Sequence, residues 1–206
     1  MQIDMNKLTP MMKQYLEVKN RYKDCILFFR LGDFYEMFFE DALVASKALE
    51  IALTGKACGL EERAPMCGVP FHSANSYISK LVENGYKVAI GEQMEDPSTA
   101  KGIVRREVIR VITPGTVLDG NLLENKKNNY LLSLYKDGTN IGLTYVDIST
   151  GETNATCLNE DKVIEEIAKI HPTEIIINDL DFIEKLRDIA TVSNIYINES
   201  FSDNYL

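Results

Sequence analysis

The chain has 206 residues, 45% of them hydrophobic and 26% charged, with a formal net charge of −9. That is an ordinary globular composition, sized for one large domain or two small ones. No apolar run approaches the roughly 20 residues of a membrane span, and the start MQIDMNKLTPMMKQ has no signal-peptide core, so a cytoplasmic location is expected.

The charge is unevenly spread. Lys and Arg match Asp and Glu fifteen for fifteen in residues 1–112, whereas residues 113–206 hold seven against sixteen. The whole excess lies in the second half, which predicts two units with different partners.

In chain order, Thr9-Pro10 reads as the start of a helix, because a proline at the first helical position lacks only an amide proton that would be unpaired anyway. Residues 25–29 (CILFF) read as a short buried strand, and Gly32 permits a turn after it. Residues 33–49 show helical spacing, with Tyr35, Phe38, Phe39, Ala42, Ala45, Ser46 and Leu49 on one face; Asp33 and Glu36 form a capping-box pattern at its start. At about 100° per residue, Phe34 falls off that face. It is open to two readings: part of the core, or an aromatic held outward to stack or wedge. Residues 55–72, with three glycines and two prolines, read as one long loop. Ser73 or Asn75 then caps a helix that stops at Gly85. Residues 87–90 and 104–112 read as strands, with a turn at 95–98 between them.

Thr113-Pro114-Gly115-Thr116 is a turn signal, and the polar run after it suggests a boundary, with 113–128 as linker. Strand-like runs follow at 130–136, 140–148 and 152–158, joined by turns at Asp137-Gly138 and Thr150-Gly151. A helix (161–170), a strand (174–178), a helix (180–189) and a strand (192–198) complete the pattern. An antiparallel meander followed by αβαβ is the order of ribonuclease-H-like domains. The run stops at FSDNYL without a closing element, which predicts a truncated domain. The expected fold class is α/β (α+β): a small mixed-sheet domain with flanking helices over 1–112, then a ribonuclease-H-like domain over 129–206.

Several chemistries are excluded. There is no phosphate loop, since Thr54-Gly55-Lys56-Ala57 lacks the first glycine and the hydroxyl, so no nucleotide hydrolase is expected in this chain. Cys25, Cys58, Cys67 and Cys157 form no C-x-x-C pair and read as reduced thiols; Cys58, Cys67 and His72 match no zinc spacing. One alternative is a metal-dependent nuclease in the second half, with Asp147 joined by Glu165, Glu166 or Asp179. Another is a protein-interaction module. Lys101, Arg105, Arg106 and Arg110 crowd one segment against a single acid, Glu107, either as a solvated strand face or as a strip for phosphates.

Five ordered motifs carry a resemblance: Thr9-Pro10-Met11-Met12 with Gln14-Tyr15, Gly32-Asp33-Phe34-Tyr35-Glu36, Gly68-Val69-Pro70-Phe71-His72, Glu92-Gln93-Met94-Glu95-Asp96-Pro97 and Val111-Ile112-Thr113-Pro114-Gly115-Thr116. Together they closely resemble the N-terminal mismatch-recognition domain of the bacterial MutS family. Tyr145-Val146-Asp147-Ile148-Ser149-Thr150-Gly151 is similar, more weakly, to the family's connector domain. The resemblance implies mismatch repair: recognition of mispaired or unpaired bases in duplex DNA, including small insertion/deletion loops, through a Phe-x-Glu motif in the minor groove that kinks the duplex. Phe34 matches the phenylalanine that stacks on the mispaired base, and Glu36 the glutamate that hydrogen-bonds to it. Lys56, Met66, Val69, His72, Ser73, Asn75, Lys101, Arg105 and Arg110 are candidates for backbone or groove contacts by residue type, although His72 equally suits a helix cap.

The resemblance further implies that this chain is not itself an enzyme and holds no cofactor. ATP and Mg²⁺ are expected only for a full-length, nucleoid-associated protein with a C-terminal ATPase. Self-association is expected through that missing part, and a downstream repair protein of the MutL family is expected on the acidic connector.

Overall fold

The computed structural model describes residues 4–96, 100, 102–117 and 128–198. The chain divides into two compact units, Met1–Ile112 and Thr113–Leu206, each built on a mixed sheet. Among the described residues no helix is long and apolar enough to cross a membrane.

In the first unit, α1 (Pro10–Arg21) leads into β1 (Cys25–Leu31), whose first five residues are buried. A continuously apolar strand is stable only where both faces are covered, and β1 lies between two neighbours inside the sheet. It pairs antiparallel with β2 (Phe34–Phe38) and parallel with β5 (Lys87–Gln93). After β2 come α2 (Phe39–Leu49), β3 (Thr54–Lys56), β4 (Ala64–Pro70) and α3 (Ala74–Glu83); β6 (Arg106–Ile112) closes the unit. The strand order is β3-β4-β2-β1-β5-β6. Cys25, Leu27 and Phe29 pack with Met12, Tyr15 and Val18 of α1 on one face.

Two sequence expectations are corrected here. Residues 33–49 are not one helix: 34–38 form β2, and the helix begins at Phe39. Asp33 is therefore no helix cap. Gly32 and Asp33 are the two-residue loop of a hairpin closed by the Leu31–Phe34 pair, with Gly32 at φ +58°. Five residues rich in Phe and Tyr satisfy helical and strand periods alike, and the available partner strands decide the outcome. Nor is 55–72 one loop, since it holds β3 and β4. Its prolines are tolerated because Pro65 pairs only with β3 and Pro70 only with β2, so each has one strand neighbour.

The second unit contains β7 (Tyr130–Asp137), β8 (Asn140–Asp147), β9 (Glu152–Asn159), α4 (Glu160–Ile170), β10 (Glu174–Ile177), α5 (Leu180–Ser193) and β11 (Tyr196–Asn198). Its sheet order, β11-β10-β7-β8-β9, has an antiparallel meander and two parallel additions, as expected for a ribonuclease-H-like unit. Leu132, Leu134, Ile141 and Leu143 meet Val163, Ile167, Phe182 and Leu186 in its core. The last helix runs four residues further than expected and β11 is correspondingly short, with Asn194 in the left-handed region between them. The Pro114–Thr116 turn belongs to this unit: the Gly115 amide donates to the buried Glu174 carboxylate at 2.9 Å. Of the expected linker, 118–127 lie outside the described residues, as do 199–206.

Candidate nucleic-acid interface

Strand alternation along β2 sorts its side chains. Tyr35 and Met37 point to one face and are buried; Phe34, Glu36 and Phe38 share the other. On that second face Phe38 is covered by Tyr15 of α1, ring centre to ring centre 4.9 Å. Cover then runs out along the strand: Glu36 is half-buried, and Phe34 is 47% exposed. A Phe-x-Glu spacing on a strand thus sets both side chains on one open surface, where a helix would have splayed them.

The hairpin that presents Phe34 is held from several sides. The Phe71 amide donates to the Asp33 carbonyl at 2.9 Å, and Arg30 Nε donates to the Gly32 carbonyl at 2.5 Å. The Arg30 guanidinium also lies 3.6 Å over the Phe71 ring and 3.7 Å from Glu92. Tyr35, behind Phe34, donates its phenol hydrogen to Glu92. Burial first, and then that carboxylate, push the Tyr35 phenol up to about 12, so it remains a hydrogen-bond donor at neutral pH. Both carbonyls of the turn are engaged, and Phe34 projects from a braced edge.

Glu36 stands opposite Gly68 on β4 and forms an ion pair with Lys56 at 2.5 Å. Met66, half-buried on β4, pairs with Phe38 on the same face. Phe71 and His72 follow β4 in a short 3-10 turn and are both exposed; Asn75 is exposed in the first turn of α3. Ser73 precedes α3 and donates its hydroxyl to the Pro70 carbonyl at 3.2 Å, so neither it nor His72 caps the helix through its side chain.

Other candidates fall elsewhere. Val69 is corrected: it is 1% exposed, because alternation along β4 turns Gly68 and Pro70 outward and Val69 into the core. Arg105 and Arg110 are exposed on or beside β6, three strand steps from β2, roughly 14 Å at the usual strand spacing. They form no cluster with Lys56, which lies on the opposite edge of the sheet. Arg106 drops out of the basic strip, being buried with its guanidinium on the carbonyls of Arg30 and Val104. Lys101 lies outside the described residues.

Arg30, Gly68, Phe71 and Glu92 were not singled out by sequence reasoning. Gly68, Phe71 and Glu92 sit inside the ordered motifs, but only the register across the strands shows what they hold.

In the second unit, Asp147 is buried and accepts from the amides of Asn129, Ser149 and Thr150 and from the Ser149 hydroxyl. The Ser149 hydrogen bond leads the effects that hold its carboxyl below the usual range. Glu166 pairs with Lys169, and Asp179 caps α5. Asp147 braces the turn after β8, and no three potential metal ligands gather among the described residues. Among the described residues, Asp147 is thus engaged in bracing a turn, with Glu166 and Asp179 committed to other partners.

Comparison with known sequences completes the picture. The family model for MutS domain I matches residues 9–121, and that for MutS domain II matches residues 129–203. A protein of Acetivibrio thermocellus named DNA mismatch repair protein MutS is 65% identical over 178 residues, covering 84% of this chain and 20% of the relative. Proteins of the same name are 61% identical over 191 residues in Alkaliphilus oremlandii (91% and 21%) and 52% over 204 in Clostridium tetani (97% and 23%). The chain spans about a fifth of the length of the curated relatives it matches.

Proposed function

The chain belongs to the MutS family of DNA mismatch repair proteins, and from that premise we propose that its first unit finds mispaired or unpaired bases by inserting Phe34 into the minor groove, with Glu36 contacting the displaced base. The observation that carries the reading is the open end of β2: a large aromatic and a carboxylate, two residues apart on one face, projecting from a turn whose carbonyls are both engaged. An aromatic wedge unstacks a step and kinks the duplex at a cost of a few kcal/mol, less where pairing is already defective. Selectivity then follows deformability rather than base identity, which suits acceptance of many different mispairs and small loops.

Phosphate contacts fall to His72, Ser73 and Asn75 beside the wedge and to Arg105 and Arg110 on or beside β6, with Lys101 a further candidate by residue type and Met66 lining the groove. The acidic second unit serves protein partners, among them a MutL-family protein. ATP with Mg²⁺, its hydrolysis and self-association belong to the remainder of a full-length protein.

The test is equilibrium binding of Phe34→Ala, in a full-length protein carrying this segment, to matched and singly mispaired duplexes. Losing one aromatic–base stack is expected to cost about 1–3 kcal/mol on the mispaired duplex alone. Equal losses on both duplexes, or none, would refute the wedge.

A further inference from the structure

Glu36 poses an electrostatic problem on a surface that meets DNA. A lone carboxylate there is repelled by phosphates and can only accept hydrogen bonds. The structure supplies a partner from two strands away. Lys56 lies on the edge strand β3, with β4 between it and β2, yet its ammonium sits 2.5 Å from the Glu36 carboxylate. It also lies 5.6 Å from the centre of the Phe38 ring, so it lies along the same sheet face as Phe34 and Glu36. Gly68 leaves the intervening surface bare. A Cβ at that position would stand 3.4 Å from Glu36 Cγ and 3.2 Å from the Tyr35 carbonyl oxygen. The pair is drawn part-way out of water, with side chains 34% exposed for Lys56 and 16% for Glu36. Charges so placed interact more strongly than freely solvated ones and hold each other's direction.

We infer that Lys56 is the counter-ion and positioning residue of Glu36: it neutralises the carboxylate as DNA approaches and fixes where it points, so its part in recognition runs through Glu36. The inference rests on the role proposed above for Glu36. It differs in kind from an independent phosphate contact, which weakens binding uniformly across sequences and lowers the salt slope by about one when removed.

The test is a double-mutant cycle in a full-length protein carrying this segment, with affinity for a singly mispaired duplex and its matched control measured across salt concentrations. Lys56→Gln should weaken binding to the mispaired duplex about fivefold more than to the matched one, the scale of a partly shielded ion pair. Lys56→Arg, which keeps the charge, should recover most of that loss and guards against misfolding as its cause. In the Glu36→Gln background, Lys56→Gln should add less than about twofold, because no carboxylate remains to be neutralised. Equal loss on both duplexes and in both backgrounds, with the shallower salt slope, overturns the inference while leaving Glu36 its role. Unchanged discrimination in Glu36→Gln alone removes that role, and the inference with it.

Discussion

Replacing Arg30 with methionine removes the charge that braces the Phe34 hairpin while keeping an unbranched stem against Phe71. Four interactions go: the hydrogen bond to the Gly32 carbonyl at 2.5 Å, the stack on Phe71 at 3.6 Å, the ion pair with Glu92 at 3.7 Å and a longer contact over the Tyr35 ring at 5.6 Å. A charged hydrogen bond contributes about 1.5–3 kcal/mol and a cation–π contact about 0.5–1 kcal/mol, while the exposed part of the ion pair adds little. Retained stem packing offsets part of this, leaving a local loss of about 2 kcal/mol. The Phe71 amide, which donates to the Asp33 carbonyl, reports on the turn directly. Its hydrogen exchange should quicken roughly thirtyfold, the equivalent of that loss, while the amides of Leu27 and Phe29 in the buried middle of β1 keep their rates. An unchanged Phe71 amide would show that the clamp is idle. Equal acceleration throughout β1 would show that Arg30 supports the whole unit and not the hairpin.

Two further substitutions test other assignments. Val69→Ala should lower the stability of the first unit by about 2 kcal/mol in urea unfolding, through lost burial and a cavity, and leave the ratio of mispaired to matched affinity unchanged; a changed ratio at full stability would return Val69 to the DNA surface. Asp147→Asn should destabilise the second unit at neutral pH. Because hydrogen bonds depress the folded-state pKa of Asp147, its contribution is present above the unfolded value near 4 and is lost as pH falls through the folded value. The gap between wild type and variant should therefore shrink in acid melts below about pH 4, and a gap constant with pH would contradict the assignment.

What was legible in the sequence was what local chemistry decides. The meander of the second unit announces itself through alternation and the Asp137-Gly138 and Thr150-Gly151 turns, and its three strands lie within a residue or two of expectation. Residues 34–38 did not announce themselves. A five-residue aromatic run fits either period, and it becomes a strand because β1 and β4 flank it, the latter some thirty residues away. That error had a consequence for the site: helical geometry put Phe34 and Glu36 on different sides, whereas strand geometry puts them together. The prolines of β4 hid a strand for a similar reason, since their tolerance depends on which neighbour stops short. Arg30, Phe71 and Glu92 converge only through tertiary register, and no spacing rule links residues so far apart in the chain.

Base stacking beside the defect reports most directly on whether Phe34 enters the duplex there. A duplex carrying 2-aminopurine next to a single mispair should brighten when the full-length protein binds, as the probe loses its stacking neighbour. A matched duplex should brighten far less, and Phe34→Ala should abolish the difference at saturating protein. The same brightening from Phe34→Ala as from wild type would mean that the defect opens without the wedge, and the account would be wrong.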